Sequence, residues 1–92
     1  MTECKLKDAL TEYMSKADAI DKLFRKIADL ENLIEAFDKD IAEIDEAGLD
    51  RTVEILCKAR NLLNLERLEL EIHMCKLKLW LAEFEKARQL AR

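Results

Sequence analysis

His73 is the only imidazole in this 92-residue sequence, and Glu69, Glu71 and Cys75 lie within four positions of it. On a helix Glu69 and His73 would share a face, the first two corners of a metal site. The set goes no further. A ferritin-like carboxylate site uses Glu-x-x-His, and the residue three before His73 is Leu70. No second His can complete a zinc set. Around Gly48, the acids Asp45, Glu46 and Asp50 miss the alternating positions of a calcium-binding loop. The chain also lacks a Gly-rich phosphate loop and a Ser–His–Asp order. No catalytic residue, metal or cofactor is therefore expected, and His73 reads as a solvated helix residue.

Cys4, Cys57 and Cys75 are odd in number, 53 and 18 residues apart, and follow no metal-ligand spacing. Three reduced thiols in a cytoplasmic protein are the expectation. The opening Met1-Thr2-Glu3-Cys4-Lys5 agrees, because charge appears where a secretory signal would need an apolar stretch. No run reaches the roughly 18 uncharged apolar residues of a membrane span.

Half of the residues are hydrophobic and 39% are charged, with one Gly and no Pro. The apolar share argues against disorder. The shortage of turn residues argues against a many-stranded sheet. A net charge of −4 gives no basic stripe for nucleic acid. What is left is an all-α chain whose side chains do their chemistry by packing.

The first half reads as one helix over about 3–46. Its apolar stripe runs Leu6, Leu10, Tyr13, Ala17, Ile20, Phe24, Ile27, Leu30, Ile34, Phe37, Ile41 and Ile44. The steps alternate between four and three residues, with one extra three-residue step from Ile27 to Leu30. Such a stammer locally overwinds a coiled coil. Gly48 is the expected left-handed cap, and Asp50 is the expected cap of the next helix. With a turn at 47–50 and a second helix over about 51–91, the chain becomes a long antiparallel hairpin, each arm roughly 63 Å long at 1.5 Å per residue.

The second helix has two apolar stripes. One runs Leu49, Val53, Leu56, Leu63, Leu70, Met74, Leu77, Leu81 and Phe84, with Arg60 and Arg67 in its gaps. The other runs Ile55, Ala59, Leu62, Leu65, Leu68, Ile72, Cys75, Leu79 and Ala82. Residues 68–74 and 77–81 alternate as strands do, yet Met74-Cys75-Lys76 offers no turn, and Leu, Glu, Lys and Met favour helix. The alternation is that of a helix with neighbours on two sides. One neighbour is the first helix.

Leaving Leu62, Leu65, Leu68, Ile72 and Leu79 in water would forfeit about 8–15 kcal/mol at 1.5–3 kcal/mol per side chain. That rivals the whole net stability of a domain, about 5–15 kcal/mol. A homodimer of hairpins, a four-helix bundle, removes the cost. The intramolecular competitor is a third helix, which would need a break near Leu30 or Leu62.

Charge is distributed unevenly. Residues 29–54 hold ten acids and two bases, a net −8 around the turn, whereas residues 76–92 net +3 with five bases and two acids. Hairpins stacked head to tail would set each acidic tip beside the partner's basic end. Cys57 and Cys75 share a side of the helix, so one such register, centred on Glu66, sets Cys57 of one copy against Cys75 of the other.

The primary functional expectation is an assembly module, self-associating through Leu62, Leu65, Leu68, Ile72, Cys75 and Leu79, that holds a further protein partner. The alternative is a small inhibitor docking its acidic tip, Asp38, Asp40, Glu43, Asp45 and Glu46, on a basic site. A weak nucleic-acid bundle would use Lys76, Lys78, Lys86 and Arg88. Tyr13, Trp80 and Phe84 fall together at the open end, where Trp80 is the candidate anchor for a partner.

Overall fold

A computed structural model describes residues 3–90. It consists of two helices, α1 over Glu3–Glu46 and α2 over Asp50–Leu90. Runs of Leu, Ala, Glu, Lys and Ile carry both helices without interruption. No break occurs at Leu30 or Leu62, so a third helix does not form, and residues 68–81 are helical throughout. The helices pack antiparallel: Asp38 meets Arg60, Glu31 meets Arg67, and Tyr13 meets Phe84. The result is a rod of 68 × 17 × 14 Å.

Gly48 closes α1 with φ at +77°. Its N–H donates to Asp45 O at 3.0 Å, and Leu49 N–H donates to Ile44 O at 3.4 Å. These are the two bonds of a Schellman cap, in which only Gly sits at C′ without backbone strain. A Cβ at Gly48 would meet nothing within 4 Å. Gly48→Ala is therefore expected to cost about 1 kcal/mol through the backbone alone, visible as a lower urea midpoint.

Asp50 departs from the sequence expectation. Leu49 O accepts from Val53 N–H at 3.0 Å, which makes Leu49 the capping residue and Asp50 the first helical one. The cap of α1 finishes on Leu49, so no residue is left over for a separate cap of α2. The Asp50 carboxylate acts instead through its favourable position at the positive end of the helix dipole.

Phe24 also departs from expectation. It is 64% exposed, while its neighbour Leu23 is 9% exposed and Ile27 is 6%. Both Leu23 and Phe24 stand at a helical spacing from Ile20, three and four residues away. Choosing Leu23 moves the short step to Ile20–Leu23 and leaves an unbroken heptad line from Leu23 to Ile44. Leu23 and Ile27 are the most enclosed side chains among the described residues, and α2 encloses none. Toward the ends of the rod, Leu6, Leu10 and Leu49 are exposed although they begin the expected stripes.

The gaps in the first stripe of α2 are filled by cross-helix ion pairs. Arg60 donates to Asp38 Oδ1 at 3.1 Å. Arg67 lies 3.9 Å from Glu31 and 3.5 Å from Glu71, and donates to Asn64 Oδ1 at 3.1 and 2.8 Å. Glu31 is half in water, so removing Arg67 strands no buried charge. Arg67→Leu is expected to raise the stability by about 1 kcal/mol, seen as a higher urea midpoint, because an apolar residue at a seam position outperforms a partly solvated ion pair.

Candidate functional site

The most extensive feature left without a partner is the outer face of α2. Leu62, Leu65, Leu68, Ile72 and Leu79 are between 43% and 69% exposed, and Cys75 is exposed beside them. Ile55 continues the line toward the turn. The cause is the rotation of the helix. With α1 holding Leu63, Leu70, Met74 and Leu77, residues about two positions away are carried to the far side at 100° per residue. Along this face Leu68, Ile72, Cys75 and Leu79 form the floor of a shallow groove walled by Glu71 and Lys76. Contiguous exposed apolar patches are characteristic of surfaces that meet a partner.

No family model, curated protein or solved structure matches the chain.

The structure divides the acidic tip. Asp38 is engaged by Arg60, whereas Asp40, Glu43, Asp45 and Glu46 are exposed on the last turns of α1. At 100° per residue they are spread over both sides of the helix. The two described thiols also differ: Cys75 is exposed and Cys57 is half-buried. The Cys4 side chain lies outside the described residues. His73 is exposed, and no cluster of three metal-ligating side chains occurs among the described residues.

The aromatic residues meet at the open end. Tyr13 and Phe84 rings are 5.2 Å apart, Trp80 stacks on Phe84 at 5.4 Å, and Lys16 Nζ stands 4.8 Å from the Trp80 ring. These contacts zip the end of the rod where both termini enter. Trp80 is thereby half-buried and already engaged within the chain. On α1, Met14, Phe24 and Leu33 are exposed and were absent from the expected surface. Only for Phe24 did the sequence hold a signal, the adjacent Leu23 competing for the same seam position.

No helix among the described residues is long and apolar enough to cross a membrane.

Proposed function

We propose that the chain is a non-enzymatic, cytoplasmic interaction and assembly module that associates with itself through the outer face of α2 and presents the resulting bundle to a protein partner. The observation that carries this reading is the exposed line Leu62, Leu65, Leu68, Ile72, Leu79 on a rod that encloses so little else. A two-helix seam gives each helix one covered side, and α2 has two to cover. A second hairpin supplies the missing layer and completes a four-helix bundle. The free thiols at Cys57 and Cys75 suit a reducing compartment.

Light scattering and sedimentation equilibrium of the purified chain test the proposal. The expected particle has twice the 10.7 kDa chain mass, and its melting temperature rises with protein concentration. A 10.7 kDa particle that melts cooperatively and identically at every dilution would overturn it.

A further inference from the structure

We propose that the second copy lies antiparallel on α2, with the two-fold axis passing between His73 and Met74; this rests on the self-association reading and fixes its register. Leu65, Leu68, Ile72, Cys75, Leu79 and Ala82 are exposed and spaced 3, 4, 3, 4 and 3 residues apart. That is an unbroken heptad line on the side of α2 away from α1. The spacing is the same read in either direction. Turned end for end on itself, the line pairs Leu65 with Ala82, Leu68 with Leu79 and Ile72 with Cys75, each pair occurring twice. All six layers are apolar. Sliding one heptad toward the turn brings Lys58 and Asn61 into the seam, and sliding the other way brings in Lys86 and Gln89.

The flanking charges select the same register. In an antiparallel pair, the positions beside the seam face their own kind on the other helix. Here Glu69 faces Lys76 of the second copy on one edge, and Glu71 faces Lys78 on the other. By symmetry there are four complementary pairs and no like-charge pair among them. Glu71 and Lys76 already wall the groove over Ile72 and Cys75. The axis also falls near the middle of the rod, so the copies overlap along nearly their full length. Segment 29–54 of one, net −8, then lies beside the basic end of the other with Lys86 and Arg88. A parallel pairing would keep the apolar layers but set the two acidic tips together. A register centred on Glu66 would place Cys75 against Cys57, which is half-buried and off the exposed line.

The test uses the full chain with Cys4→Ser, Cys57→Ser and Cys75→Ala. Adding Leu68→Cys and Leu79→Cys is expected to give a disulfide-linked dimer on mild oxidation. Leu68→Cys alone is expected to give none, because its two copies stand about 16 Å apart along the axis, beyond disulfide reach. Crosslinking of the single variant would overturn the proposal in favour of a parallel pair. A particle of dimeric mass in which the double variant stays uncrosslinked would overturn the register and leave self-association standing. A monomer at all concentrations would end both. Charge reversal guards against a cysteine variant that misfolds. Lys76→Glu with Lys78→Glu, and separately Glu69→Lys with Glu71→Lys, should each weaken the homodimer about tenfold at low salt. Mixing the two should restore a dimer containing one of each; failure of the mixture to pair would count against this arrangement.

Discussion

Replacing Leu65, Leu68 and Ile72 together by Gln is expected to abolish self-association and to lower the melting temperature sharply. The three side chains are 54%, 43% and 57% exposed in the hairpin, so most of their transfer free energy is realised only when a second copy covers them. Two copies contribute six such residues. At 1.5–3 kcal/mol for complete burial, and about half of that still available, the loss is roughly 5–9 kcal/mol. A micromolar dimer is held by about 8 kcal/mol, so the triple variant falls below detection by sedimentation. The hairpin that remains has Leu23 and Ile27 as its most enclosed side chains, which explains why melting should suffer with mass. Met14→Gln with Leu33→Gln removes comparable exposed apolar surface from α1. That variant should remain dimeric. If it too became monomeric, the contact would lie elsewhere than on the outer face of α2.

The architecture was legible because each determinant was local. Gly48 is the one residue able to take a positive φ at low cost, and it sits between two long runs free of helix breakers. The hairpin follows from that single position. The cross-helix level followed from it too: a turn at Gly48 sets Tyr13 near Glu83, and the rings of Tyr13 and Phe84 do meet. The outer face of α2 was legible for a related reason. Leu70 and Ile72, or Leu77 and Leu79, cannot point the same way on a helix, so one stripe had to be left outside.

What the sequence did not disclose depended on contacts across the seam. Leu23 and Phe24 are both apolar and both reachable from Ile20, and only the position of α2 decides between them. Arg60 and Arg67 looked like interruptions of an apolar stripe. They are half-buried, with their stems along the seam and their guanidinium groups drawn to Asp38 and Glu31 on α1. Asp50 carries a good capping side chain, but the Schellman bonds of Gly48 and Leu49 had already taken the capping position. The split of the acidic tip likewise required knowing that Arg60 stands opposite Asp38.

Leu23→Ala and Phe24→Ala form the sharpest test of where the seam runs. By side-chain size alone, truncating Phe should cost more than truncating Leu. The structure predicts the reverse. Leu23 is enclosed, and losing three carbons there leaves a void in a seam with few other apolar contacts to share the load. A slender two-helix interface can close partly around such a void, which places the expected cost near the lower end of the Leu→Ala range, about 2–3 kcal/mol. Phe24 stands mostly in water, so its truncation should cost less than about 1 kcal/mol. Urea midpoints of the two variants, taken at one protein concentration, compare them directly. A greater loss at Phe24 than at Leu23 would return the short step to Ile27–Leu30 and rotate the upper half of α1 by one residue. That rotation would carry Phe24 into the contact with α2 and expose Leu23 in its place, so the seam opposite the midpoint of the proposed interface would have to be redrawn.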